Sequence, residues 1–214
     1  MARSGIERRR RAAKVDGNRP GYQERYQEIV KVAAVVFKEK GFAAATLNDV
    51  ATRLGTDRAS LYYYVRNKEE LLQEIVRGVI TENVSTAERV AAHDGTGADK
   101  IRILIEEMIL SFDRNYPHMY VYIEDFARIA RHEASWAQDI IAATHRFESI
   151  VIDILREGQR DGSLRTDLSD DLSALALFGM VNWTHRWYRP GSKHDAKDIA
   201  ATLSAIFLGG YQQH

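Results

Sequence analysis

Cysteine is absent from the 214 residues, which excludes disulfides, thiolate metal sites and a cysteine nucleophile and suits a reducing compartment. Proline occurs three times, and β-branched residues recur at helical rather than alternating spacing, so the chain reads as all-α, with no strand candidate. No apolar run approaches the roughly 18 residues of a membrane span, and the N-terminus is rich in arginine instead of apolar residues. The expectation is a soluble, cytoplasmic, unexported protein. Also missing are a Ser-His-acid set, a phosphate-cradling glycine loop and paired carboxylates, so no enzyme is expected. His118, His132, His145 and His185 lie in separate segments without tight ligand spacing, so neither a metal nor another cofactor is expected.

Net charge is likewise zero, but it is unevenly spread. Through residue 70 there are 15 Lys and Arg against 9 Asp and Glu, a surplus of six; the remainder holds 15 against 21, a deficit of six. A basic N-terminal third suits a polyanion that only that third meets.

Residues 1–20, with Arg8 to Arg11 in a row, are charged and nearly free of large apolar side chains, and read as a flexible basic arm closed by Pro20-Gly21. The arm is expected either to track a nucleic-acid backbone or to be a solvated tail. From Tyr22 to Lys40, Ile29, Val32, Ala33, Val36 and Phe37 repeat at helical spacing, and Gly41 marks the stop. Thr46 opens a capping box with Asp49, and Leu47, Val50, Ala51 and Leu54 give the short helix after it an inward stripe. Gly55 ends that helix, Asp57 caps the next, and Leu61 and Val65 face inward from it. Two short helices about a glycine turn, after a longer one, make a helix-turn-helix over residues 21–70. Asn67 then caps a helix carrying Leu71, Leu72, Ile75, Val76 and Val79.

With Leu61 and Val65 inward, the roughly 100° step between helical residues turns Arg58, Ala59, Tyr62 and Tyr63 outward. Three consecutive tyrosines, Tyr62 to Tyr64, cannot all be buried by one helix face. A DNA duplex uses such a surface: phenolic hydroxyls reach phosphates, rings meet thymine methyls, and a small Ala59 lets the helix enter the major groove. At least one half-buried core tyrosine among Tyr63 and Tyr64 is the competing expectation.

The run TLNDVATRLGTDRASLYYYVRNKEEL resembles the DNA-binding domain of TetR-family transcriptional regulators, in which a Thr-capped helix, a glycine turn, an S-L-Y recognition helix and a K-E-x-L helix start recur together. The likeness covers residues 25 to 80. It implies a dimeric, all-helical repressor on a palindromic double-stranded operator, released by a small-molecule effector that a C-terminal domain binds. By that likeness Arg58, Ala59, Ser60 and Tyr62 face the groove, Asn48 reads from the preceding helix, and Thr46, Tyr63, Tyr64 and Lys68 meet phosphates. The family often has His then Phe where this chain has Tyr64 and Val65.

Residues 71–214 read as a ligand-binding and dimerisation domain. Ser135 is expected to cap a long helix running to Asp161 and stopped by Gly162, Ser169 another through Trp187, and a last helix covers 196 to 208. Two amphipathic helices about Pro190-Gly191 suit a four-helix seam with their copies. Leu172, Leu175, Phe178, Ile199, Leu203, Ile206 and Phe207 are seam or core candidates, and Ala176, Gly179 and Ala205 permit close approach. Nothing in the pattern separates seam from core. Arg186, Trp187 and Arg189 combine planar cations with aromatic rings, which suits phosphates and a stacked purine or simple loop packing. Met108, Phe112, Tyr116, Tyr120, Ile123, Phe147 and Trp183 are candidates to line a pocket; Met119 and Phe126 are also available. The RWYRPG run resembles a TetR branch linked to lipid, sterol-ring or branched-chain catabolism, which implies an acyl-CoA or related thioester. A drug-responsive efflux repressor with an aromatic pocket is the alternative.

Overall fold

A computed structural model of the chain describes residues 20–211. The arm arginines lie outside these residues. Among the described residues the regular structure is helical: nine α-helices and one short 3₁₀ turn. The chain divides into two compact units between Arg77 and Gly78.

In the first unit, α1 spans Pro20–Lys40. Its opening proline belongs to the helix rather than to the arm, since a first-turn residue needs no N–H donor. Ile29, Ala33, Val36 and Phe37 are buried along one side. Helix α2, Leu47–Arg53, is opened by the expected box: the Asp49 amide donates to Thr46 Oγ1 at 3.2 Å, and the Thr46 amide and hydroxyl donate to the Asp49 carboxylate at 2.8 and 2.7 Å. Gly55 takes φ +65°, the left-handed turn conformation that glycine adopts without strain. Helix α3, Arg58–Tyr64, follows with Asp57 as its cap. Leu61 and Val65 are buried against the unit's core. Helix α4, Lys68–Ala91, begins where Asn67 Oδ1 accepts the Glu70 amide at 2.9 Å, and it carries the chain past Gly78.

The second unit adds α5 (Gly97–Arg114), α6 (His118–Ile129), α7 (Ser135–Asp161), α8 (Asp170–Asn182), the 3₁₀ turn Trp183–Arg186 and α9 (Ala196–Tyr211). Helix α5 is central, packing on α7 and α9. Its Ile101, Leu104, Ile105 and Ile109 are fully enclosed. Thr96 and Asp99 form a second capping box at its start.

Three boundaries differ from the sequence expectation. Ser135 is the first residue of α7 rather than its cap; Ala134 precedes it without a side-chain bond. The last helix continues to Tyr211. Helix α8 ends at Asn182 rather than at Trp187, because side chains compete for its last carbonyls. Thr184 Oγ1 donates to the Val181 carbonyl at 2.7 Å and His185 Nδ1 lies 2.5 Å from that of Asn182, which tightens the chain into the 3₁₀ turn. Burial also sorts the seam candidates. Ile199 and Phe207 are core, whereas Leu172, Leu175 and Ile206 are 67, 64 and 61% exposed. Ala176, Gly179 and Ala205 lie exposed beside them. No helix among the described residues is long and apolar enough to cross a membrane.

Candidate nucleic-acid interface and ligand cluster

The outward surface of the first unit is built on fixed helix starts. The Asp57 carboxylate accepts the Ser60 amide at 2.8 Å and the Ser60 hydroxyl at 2.7 Å, so Ser60 helps to lock α3 in place. Those bonds, the hydroxyl's first, hold the Asp57 carboxyl below its ordinary value. The Asp49 carboxyl is drawn down to about 2, first by Lys40, whose ammonium lies 2.5 Å away, and then by Thr46. The Thr46 hydroxyl is thereby engaged in its own cap. Asn48 and Ala59 are exposed.

The three tyrosines divide between two tasks. Tyr62 accepts a 2.8 Å hydrogen bond from Arg58 on the outward side, with the guanidinium 5.2 Å from the ring centre. Tyr64 stacks on Tyr22 of α1 at 5.0 Å, and Tyr63 meets Tyr22 and Tyr64 edge-on at 6.0 and 5.1 Å. These two rings fasten α3 to the start of α1, and all three tyrosines are half-buried. Lys68, for which the resemblance implies a phosphate contact, is engaged within the unit. Its ammonium donates to the carbonyls of Phe42, Ala43 and Ala45 at 2.7, 2.9 and 2.9 Å and sits 4.6 Å from the Phe42 ring centre. All three N–H donors are used inside the unit, where they close the loop that presents Thr46.

The C-terminal candidates fall into three groups. Phe112, Tyr116 and Tyr120 come together with Tyr188 and Arg189: Phe112 lies 5.9 Å from Tyr116 and 6.0 Å from Tyr188, and Met108 is buried one turn before Phe112 on α5. Arg189 stands 6.0 and 5.8 Å from the Tyr116 and Tyr120 ring centres and donates to the carbonyls of His185 and Tyr188 at 3.0 and 2.6 Å. That makes Arg189 largely a brace. The buried Tyr188 hydroxyl donates to Asp113, and burial first, then that carboxylate, push the phenol well above its ordinary value. Trp183 and Arg186 form the second, exposed group, with the Arg186 guanidinium 5.7 Å from the Trp183 ring centre; Trp187, also exposed, lies edge-on to Tyr188 at 6.5 Å. Phe147 stands with neither; it faces Phe178 of α8 at 5.8 Å. Ile123 is half-buried on α6.

Sequence reasoning missed the partners that set this cluster. His185 is buried, and its Nε2 lies 2.7 Å from Glu124 of α6. The same carboxylate pairs with Arg186 at 3.3 Å. No local pattern announces a carboxylate 61 residues away from its histidine. An open groove of about 570 Å³ lies instead between α5 and α9, lined by Arg102, Glu106, Lys197, Ala200, Ser204, Leu208 and neighbouring small residues; none of the candidate pocket residues borders it. Among the described residues, no three His, Asp or Glu side chains gather as metal ligands would.

Comparison with known proteins bears on the family and the fold. Residues 29–75 match the model of bacterial regulatory proteins of the tetR family, and residues 94–211 match the tetracyclin repressor-like C-terminal domain. The chain is 25% identical over 189 residues to the HTH-type transcriptional repressor KstR2 of Mycolicibacterium smegmatis, covering 88% of this chain and 91% of that protein. The structure of the ketosteroid transcriptional regulator KstR2 of Mycobacterium tuberculosis superposes with a TM-score of 0.84 at 25% identity, covering 89% of this chain and 96% of that one. AibR, solved in complex with isovaleryl coenzyme A and operator DNA, shares the fold at a TM-score of 0.72 and 19% identity, over 85% of this chain and 97% of its own.

Proposed function

The chain belongs to the TetR family of transcriptional regulators, and from that starting point we propose that it works as a homodimeric repressor. In this reading two α3 helices, one from each copy, enter successive major grooves of a palindromic operator. A hydrophobic effector of the CoA-thioester class releases it.

The observation that carries the DNA-binding half is the outward strip of Asn48, Arg58, Ala59 and Tyr62, exposed or half-exposed, on helices whose starts are fixed by side-chain caps. Arg58 and Tyr62 hold each other at 2.8 Å, which limits the rotamer freedom they lose on docking. Within the proposed interface, Thr46 serves chiefly as a cap and Ser60 chiefly as the donor to the Asp57 cap, Tyr63 and Tyr64 set the angle of α3 and present their rims to phosphates, and Lys68 supports the loop from behind.

For the dimer, the support is an apolar strip that one copy leaves in water. Leu172, Leu175 and Ile206 stand out from α8 and α9. Burying a leucine or isoleucine side chain fully stabilises by about 1.5–3 kcal/mol, so a twin strip gives a substantial driving force. Leu175→Asp should therefore turn the dimer into a monomer in sedimentation-velocity runs at micromolar concentration while leaving the helical circular-dichroism spectrum unchanged. A variant that remains dimeric moves the seam elsewhere.

For the effector, support comes from the aromatic group around Phe112, Tyr116 and Tyr120 next to the outward Arg186 and Trp183, and from the ligand named for the related fold of AibR. An effector releases DNA only through a difference in affinity between the DNA-bound and free states. Thermal shift tests it: CoA esters should raise the melting midpoint of the wild type more than cationic dyes do, and Arg186→Ala should lose most of that rise. Equal stabilisation of both proteins removes Arg186 from the site; dyes outperforming CoA esters favours an efflux-type regulator. Mass spectrometry of ligands retained on purification identifies the effector itself.

A further inference from the structure

The turn that joins α8 to Arg189 brings the buried His185 and the exposed Arg186 to one carboxylate. Glu124 Oε1 stands 2.7 Å from His185 Nε2 and 3.3 Å from Arg186 Nη2. The other ring nitrogen of His185 faces the Asn182 carbonyl at 2.5 Å, which fixes the ring between the turn and α6. The neighbouring charges are engaged elsewhere: Asp125 pairs with Arg128 at 2.6 Å, Asp113 takes the Tyr188 hydroxyl, and Arg189 gives N–H bonds to two carbonyls. Glu124 thus supplies the compensating charge to this turn.

The pair it makes with Arg186 is weakly held. The Arg186 side chain is 54% exposed and that of Glu124 31%, conditions in which an ion pair contributes about 0–1 kcal/mol. A phosphate brings more charge than a carboxylate, and the carboxylate here makes a single 3.3 Å contact, so a phosphate that forks onto the guanidinium outcompetes it. The face of Trp183 lies against the same guanidinium and keeps it oriented when the carboxylate leaves.

We propose that Glu124 is a built-in stand-in for the anionic end of the effector: it occupies Arg186 in the empty protein and is displaced when a phosphate arrives. Its release also loosens the tie between α6 and the turn, so anion binding and the α6–turn contact are mutually exclusive. This rests on the reading of Arg186 as an effector contact. Glu124 acts here as a competitor for Arg186, so that only a group more anionic than a carboxylate takes its place.

Glu124→Gln tests it, because glutamine keeps an acceptor oxygen for His185 and loses only the charge. By calorimetric titration, Glu124→Gln should bind octanoyl-CoA about tenfold more tightly than wild type. Glu124→Asp should stay near wild type, octanoyl-pantetheine, which lacks phosphate, should bind both equally, and in an Arg186→Gln background the Glu124→Gln gain should vanish. Inorganic pyrophosphate is titrated in parallel by thermal shift. If octanoyl-CoA binds none of the proteins but pyrophosphate still favours Glu124→Gln through Arg186, the stand-in holds and the CoA-thioester reading fails. Equal affinities of wild type and Glu124→Gln for both anions, a gain that persists without Arg186, or no binding of either anion overturns the proposal.

Discussion

Gly97→Ala lowers the melting midpoint of the C-terminal unit by about 10 °C or prevents it from folding. At the crossing of α5 and α7, a Cβ on Gly97 would lie 2.2 Å from Gly158 Cα, 2.3 Å from Gly158 N and 3.0 Å from the Ile154 carbonyl oxygen. All three are backbone atoms, so no side chain can swing away. The two helices cannot separate cheaply either. The Gly97 amide donates to Asp161 at 2.7 Å, the Ala98 amide to Ser163 at 3.1 Å, and the buried Lys100 ammonium holds Glu157 at 2.6 Å and the Ala91 carbonyl at 3.0 Å. Overpacking costs typically about 1–3 kcal/mol and more where backbone must move; at about 2–4 °C per kcal/mol for a chain of this size, the upper end gives the stated shift. Gly158→Ala should be milder, because its nearest obstacles, at 2.5 and 2.6 Å, are side-chain atoms of Leu164. Thermal melts followed by circular dichroism decide; a Gly97→Ala midpoint within about 2 °C of wild type means that the crossing opens freely.

Lys68→Met destabilises the helix-turn-helix unit by about 2 kcal/mol and abolishes DNA binding as a consequence. Removing a charged donor from three carbonyls leaves acceptors without their partner, at about 1–3 kcal/mol for each fully buried group; this site is only half-buried, which brings the total down. Arginine should not rescue it, since a planar fork cannot converge on three carbonyls as a tetrahedral ammonium does. Urea unfolding together with the salt dependence of DNA binding separates this role from a phosphate contact. If Lys68→Met leaves unfolding unchanged while the slope of log affinity against log salt falls by about one, the side chain meets phosphate instead.

These two positions mark where the sequence stops being legible. The helix starts at Thr46, Asp57, Asn67 and Ser169, and the inward pair Leu61 and Val65, are visible because capping and helical spacing relate residues three or four apart. Lys68 meets carbonyls 23 to 26 residues earlier, and Gly97 meets Gly158 across 61 positions. No local pattern therefore marks Gly97 as a position where a Cβ would meet backbone at 2.2 Å. Tyr63 and Tyr64 are ambiguous for the same reason, as their partner Tyr22 lies a full helix away. Leu175 and Phe207 carry equal apolar weight in the sequence, yet one faces water and the other the core. The RWYRPG motif points to a cluster at the end of α8, but the early end of that helix comes from side chains that bond carbonyls three residues back, and the Glu124 partner from a contact across 61 positions.

The most direct measurement is fluorescence anisotropy of the protein against labelled DNA from immediately upstream of its own gene, with random-sequence competitor at moderate ionic strength. The upstream fragment should be preferred by about a thousandfold or more, with both half-sites of a palindrome required, and Arg58→Ala should weaken binding by about 1–3 kcal/mol. Folded protein that shows no preference for that or any other genomic fragment over random DNA, or Arg58→Ala binding as the wild type does, would contradict a groove-reading role for α3.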